Sequence, residues 1–276
     1  MTILITPAEL AAALESSRPP HVLDVRWALG GPPGHGEYLA GHVPGSVFVD
    51  LDTELATIDD PRDGRHPIPA DGVLERAARR WGLHEGDTVV VHDAGGNLSA
   101  ARAWWLLTDA GVADVRVLDG GLAAWTAAGL PLATDDVVPE PGTISLRPGQ
   151  LPATDIDGAA AWPEHGTLLD VRAPERFRGE TEPVDPRAGH VPGAVNVPTG
   201  GNVGEDGTFL APDALRERFA AAGVEPGSEV AVYCGSGVTA SHTVLALRLA
   251  GIDATLYPGS WSQWSQHPDR PVATGS

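Results

Sequence analysis

Cysteine and methionine each occur once in the 276 residues. One cysteine cannot close an internal disulfide, which fits a reducing compartment and points to the cytoplasm. Basic side chains are outnumbered, 18 against 37 acidic ones, for a formal net charge of −19. That balance argues against nucleic acid and against anionic membranes as partners. Its plain consequence is solubility, but it also makes any local cluster of arginines worth noticing. No apolar run is long enough to span a bilayer. The start of the chain, Met1 to Glu9, lacks a basic segment leading into a long apolar one, so no secretory signal is expected. No Cys/His cluster has zinc spacing, and no glycine loop carries the Lys-Ser/Thr of a nucleotide site, so neither metal nor cofactor is expected. Aromatics amount to 5%, yet tryptophan is frequent, with 8 Trp against 4 Phe and 3 Tyr. Trp104-Trp105 and Trp261-Trp264 follow no stripe of fixed period and read as packing residues.

What the chain does contain is an alternation of strands and helices. Thr6-Pro7-Ala8-Glu9-Leu10 has the form of a capped helix start with proline at the first helical position. His21 to Arg26 reads as a buried strand, and a Gly/Pro-rich loop follows from Gly30 to Gly36. Ser46–Asp50, Thr88–His92 and Asp114–Leu118 read as further strands. Asp71–Trp81, Ala100–Ala110 and Gly121–Ala128 have helical spacing. Such alternation predicts an α/β fold, with a mostly parallel sheet covered by helices on both faces.

The pattern then begins again. Leu23-Asp24-Val25-Arg26 returns as Leu169-Asp170-Val171-Arg172. Gly41-His42-Val43-Pro44-Gly45 returns as Gly189-His190-Val191-Pro192-Gly193. Asp87 to Asp93 returns as Ser228 to Cys234, and Asp119 to Trp125 as Pro258 to Trp264. Four matches in one order make the chain two copies of one domain. The expected division is 1–138, a linker over 139–152 and 153–276, with Val138-Pro139-Glu140-Pro141-Gly142 the densest Pro/Gly point between the copies.

The lone cysteine lies in the second copy, at the end of the apolar run Val230 to Tyr233 and just before a helix start. Backbone N–H groups at that turn and the helix dipole favour negative charge there, so the sulfur is expected to have thiolate character. A buried inert cysteine is the alternative, but packing alone does not require Gly235 and Gly237 around one sulfur. The first copy has Asp93 where the second has Cys234. The first loop therefore reads as chemically idle and the second as the working one.

At these residues the chain resembles the tandem rhodanese family of sulfurtransferases, through the Leu-Asp-Val-Arg, Gly-His-Val-Pro-Gly and Gly-x-x-x-x-Trp elements of both copies. The loop Cys234-Gly235-Ser236-Gly237-Val238-Thr239 is similar to the active loop of the 3-mercaptopyruvate branch. Thiosulfate enzymes of the family carry basic residues directly after the cysteine, where this chain has Gly235 and Ser236. The resemblance implies two rhodanese-like domains. It also implies transfer of sulfane sulfur from a small-molecule donor, through a Cys234 persulfide, to an acceptor: thioredoxin, a small thiol or cyanide. Gly235, Gly237, Val238 and Thr239 would supply the anion-binding backbone. A Ser-His-Asp relay is implied in that branch, for which Ser236, His66 and Asp52 are the candidates, with Asp50 competing for the last place. A keto-acid donor needs a cation, and Arg176 and Arg187 match the substrate arginines of the family, the spacing at Arg187 being shorter than usual. His42 and His190 recur in both copies and read as structural.

Other readings are a thiosulfate sulfurtransferase and a non-enzymatic persulfide carrier or interaction module. A phosphatase of similar fold is disfavoured, because Ala240 and Ser241 stand where a phosphate-clamping arginine would be needed.

Overall fold

The computed structural model describes residues 2–276. They form two compact units, each built on a parallel sheet.

The first unit holds five strands: β1 (Leu4–Ile5), β2 (His21–Asp24), β3 (Val47–Phe48), β4 (Thr88–His92) and β5 (Asp114–Leu118). Their order across the sheet is β1-β5-β4-β2-β3, with every pair parallel. The central β4, Thr-Val-Val-Val-His, is a nearly continuous β-branched run, as a strand covered on both faces should be. The helix Pro7–Leu14 starts as its sequence predicts. Thr6 Oγ1 accepts the Glu9 N–H at 3.3 Å, and Glu9 Oε2 accepts the Thr6 N–H at 2.9 Å. The expected strand over 46–50 is cut to two residues because Asp50 caps a short helix, Leu51–Glu54, through N–H groups of Asp52 and Thr53.

The second unit repeats the plan with four strands: β6 (Thr167–Asp170), β7 (Val195–Asn196), β8 (Val230–Tyr233) and β9 (Thr255–Leu256). Their order is β7-β6-β8-β9, again all parallel, and Ala153 adds a parallel bridge to Leu256 at the edge.

The repeat is legible in small devices as well as in the sheets. His42 forms an antiparallel bridge with Ala133, and His190 does so with Ala273. Trp125 Nε1 donates to the Pro131 carbonyl at 2.8 Å, and Trp264 Nε1 to the Pro271 carbonyl at 2.9 Å. Trp104, Trp105, Trp125, Trp261 and Trp264 are buried, so they pack the cores as expected.

Two segments are exchanged between the repeats. Residues 58–68, from the first copy, belong to the compact unit of the second copy, and residues 203–209 belong to that of the first. The Pro/Gly-dense stretch makes backbone hydrogen bonds of its own. Up to Gln150 it is strapped onto the first unit, by the Gly142 N–H on the Arg79 carbonyl (2.7 Å), Ile144 on Leu83 (3.1 Å) and Arg147 on Ala110 (2.9 Å). Ile144 is buried, a side-chain burial worth about 2 kcal/mol. Glycine is required at 142, since a Cβ there would lie 2.0 Å from the Leu83 carbonyl oxygen.

Candidate active site

The site forms where β8 ends. Cys234 follows Tyr233 directly, and the helix Val238–Leu249 starts four residues later. Gly237 makes that short turn, with φ +83°. A Cβ there would sit 2.4 Å from the Pro258 carbonyl oxygen, so no other residue fits. Its N–H donates to Cys234 Sγ at 3.1 Å. Among the described residues it is the one loop N–H within hydrogen-bond distance of the sulfur. Val238 and Thr239 open the helix, and Val238 is buried.

The following segment holds the loop from behind. The Trp261 N–H donates to the Cys234 carbonyl at 3.0 Å, and the Ser262 N–H to the Gly235 carbonyl at 2.8 Å. The Cys234 N–H donates to Ser260 Oγ (3.1 Å), which in turn donates to the Tyr257 carbonyl (2.9 Å). Ser260 takes φ +54°, a left-handed conformation uncommon outside glycine. The sulfur is thus presented on a backbone fixed at several points.

The exchanged segment 58–68 brings side chains from far away in sequence. Gly64 takes φ +98°, and a Cβ there would lie 2.8 Å from the Gly259 carbonyl oxygen. The Arg65 N–H donates to Ser262 Oγ at 3.1 Å. With that anchorage, His66 Nδ1 lies 2.8 Å from Ser236 Oγ, and both residues are buried. The expected Ser236–His66 pair is therefore brought together, across 170 positions of sequence. Asp52 lies in the other compact unit, where it accepts the Trp27 Nε1–H at 3.1 Å. Its competitor Asp50 is engaged in its helix cap.

Arg176 lies beside the loop. A Cβ on Gly235 would lie 3.6 Å from Arg176 Nη1 and 3.9 Å from Nη2. Arg65, a residue that sequence reasoning passed over, comes closer: its Nη2 would be 3.1 Å from the same point. Two buried carboxylates hold these cations. Arg176 pairs with Glu182 at 2.6 Å and with Asp185 at 3.2 Å, and Arg65 pairs with Asp185. Burial pushes the Asp185 carboxyl above the usual carboxylate range, against the pull of the two guanidiniums and with Glu182 adding to the rise. The only sequence signal for Arg65 was its position beside His66.

Arg187 is a correction. Its guanidinium is spent on four backbone carbonyls: Ser265 (3.0 Å), Arg270 (2.8 Å), Trp264 (2.7 Å) and His267 (2.7 Å). It ties down carbonyls at the end of the Ser260–Trp264 helix and just after it instead of facing a donor, as cations at helix C-termini do. Arg172 is forked on Asp170 and lies 4.6 Å from the Trp261 ring. His42 and His190 each use Nδ1 on a backbone carbonyl, of Tyr38 and Phe177 respectively.

The matching loop of the first unit is occupied by its own side chain. Asp93 Oδ1 accepts the N–H groups of Gly95 and Asn97, both at 3.0 Å. Oδ2 accepts those of Ser99 (2.9 Å) and Ala100 (3.3 Å). Burial pushes the Asp93 carboxyl up to about 6 even against these four donors.

Comparison with known proteins agrees with this architecture. The rhodanese-like domain matches twice, over residues 6–128 and 155–267. The chain belongs to the rhodanese-like family. A Mycobacterium tuberculosis protein provisionally named thiosulfate sulfurtransferase SseB is 48% identical, over 99% of this chain and 98% of its own. A Pseudomonas aeruginosa protein, provisionally named 3-mercaptopyruvate sulfurtransferase, is 46% identical with the same coverage. Among solved structures, SseA from Escherichia coli, a 3-mercaptopyruvate sulfotransferase, superposes with a TM-score of 0.85 at 31% identity. The match covers 95% of this chain and 99% of SseA.

Proposed function

We propose that the chain is a sulfurtransferase that draws sulfur from 3-mercaptopyruvate onto Cys234 and passes it to an external acceptor. The observation that carries this reading is the buried Ser236–His66 hydrogen bond, 2.8 Å long and two residues from the only cysteine. The Cys234 thiolate attacks the donor sulfur. The carbon–sulfur bond breaks and its electron pair stays on carbon, giving the enolate of pyruvate. The proton released from the donor thiol ends on that carbon, and Ser236 with His66 is the path it takes. Cys234 leaves the half-reaction as a persulfide, whose outer sulfur a second nucleophile removes. Two half-reactions through one covalent intermediate make the kinetics ping-pong. The Gly237 N–H stabilises negative charge on Sγ throughout.

Arg176 binds the donor carboxylate in this reading. By the family resemblance, Asp52 is the carboxylate that supports His66. Substituting Asp52→Asn tests that role through a fall in kcat at constant KM. Thioredoxin, a small thiol or cyanide serves as acceptor. A lone cysteine that must stay reduced between turnovers supports a cytoplasmic setting.

Thiosulfate as donor is the second reading, favoured by the name of the 48% identical relative. Against it stand Gly235 and Ser236, neither of which brings a charge to the loop. Steady-state transfer with each donor separates the two: higher kcat/KM with 3-mercaptopyruvate is expected, and higher kcat/KM with thiosulfate would reverse the assignment.

A further inference from the structure

All 18 basic side chains of this chain are arginines, and two of them share one buried carboxylate at the loop. Asp185 takes Arg65 on Oδ1 and Arg176 on Oδ2. Its side chain is 3% exposed. Glu182, equally buried, takes the other edge of Arg176 through Nε and Nη2. Among the described residues, this leaves Arg65 Nη2 and Arg176 Nη1 with no protein acceptor. These are the nitrogens 3.1 and 3.6 Å from where a Gly235 side chain would begin. Arg65 Nε is buried and also lacks an acceptor. The two free nitrogens face the space beside the residue that follows the nucleophile.

The charges in this cluster cancel. Arg65, Arg172 and Arg176 are matched by Asp170, Glu182 and Asp185. A singly charged carboxylate entering the cluster gains two donor N–H groups and adds one charge. A dianion adds a second charge that no cation is left to balance, in surroundings of low dielectric.

We propose that Asp185 determines the donor preference of this site. By bridging Arg65 and Arg176 it aims one free nitrogen of each over Gly235 while cancelling their charge. The site then accepts a thiol donor bearing a single carboxylate and discriminates against a dianionic donor such as thiosulfate. Arg65 is the second donor-binding cation, in the place that Arg187 does not fill. This rests on the sulfurtransferase reading above and names the residues that set its substrate class.

The test is steady-state sulfur transfer to cyanide by the full chain and by Asp185→Asn, with 3-mercaptopyruvate and with thiosulfate. The ratio of kcat/KM for thiosulfate to that for 3-mercaptopyruvate is expected to rise at least tenfold in the variant. A ratio within twofold of the parent overturns the proposal and leaves the sulfurtransferase reading standing. A parent chain inert to both donors overturns both. Should Asp185→Asn not fold, Arg65→Lys keeps the charge and loses the second nitrogen. It is expected to raise KM for 3-mercaptopyruvate about tenfold with kcat nearly held, and an unchanged KM overturns the proposal.

Discussion

The two loops after β4 and β8 are one backbone device used in opposite ways. In the first, the Asp93 carboxylate folds into the nest and takes four N–H groups, two on each oxygen. In the second, Cys234 Sγ takes one, from Gly237. A loop that supplies its own anion is satisfied and has nothing left to offer. A loop whose residue brings a single sulfur atom keeps capacity for charge that arrives with a reaction. Position in the repeat therefore does not decide which copy works. The side chain at the end of the central strand does, together with the arm that serves it. Residues 58–68 bring Arg65 and His66 to the Cys234 loop, and residues 203–209 belong to the unit of the Asp93 loop.

The largest effect should come from making the two loops equally inert. Cys234→Ser is expected to remove sulfur transfer altogether, by roughly three orders of magnitude or more, in a donor-to-cyanide assay. Ser236→Ala breaks the relay and leaves the nucleophile. It should lower kcat for 3-mercaptopyruvate by about 10²-fold, with a smaller loss for thiosulfate, which has no thiol proton to move. Equal losses with both donors would remove the relay from the account.

The next effects are on stability and separate scaffold from site. Arg187→Ala leaves four backbone carbonyls without their cation. It should cost about 3 kcal/mol in denaturant unfolding and leave donor KM close to the parent value. A large rise in KM with unchanged stability would restore Arg187 to donor binding. Asp93→Asn probes the idle loop. The folded-state value of about 6 lies above the ordinary 3.8, so the native state binds this proton more tightly than the unfolded chain. Asp93 therefore adds stability that is fully present below about pH 4 and is lost as pH rises through about 6, up to roughly 2–3 kcal/mol in all. The Asn variant should flatten that part of the stability profile between pH 4 and 7, while a profile of unchanged shape would contradict the burial argument.

Much of this was legible in the sequence, and the failures share a cause. The limits of β4 and β5 are legible because β4 is a β-branched run and β5 alternates valine with charged residues, each between turn formers. β3 was read too long because the capping of Leu51–Glu54 by Asp50 competes with the strand. The repeat makes Cys234 and Asp93 equivalents, and Ser236 enters through the family resemblance. Arg65 and Asp185 escape a reading of the sequence, since their pairing joins positions 120 residues apart. Arg187 was misassigned because its partners are backbone carbonyls, which a sequence does not display. The way the linker over 139–152 lies on the first unit is hidden for the same reason: its hydrogen bonds run from backbone to backbone.

The central claim is that the Cys234 loop stores sulfur and the Asp93 loop does not. Its most direct test is mass spectrometry of the full chain after exposure to 3-mercaptopyruvate with no acceptor present. One additional sulfur atom is expected on the peptide containing Cys234, and it should be lost on adding cyanide. A chain that produces pyruvate yet carries no added sulfur on that peptide would contradict the account.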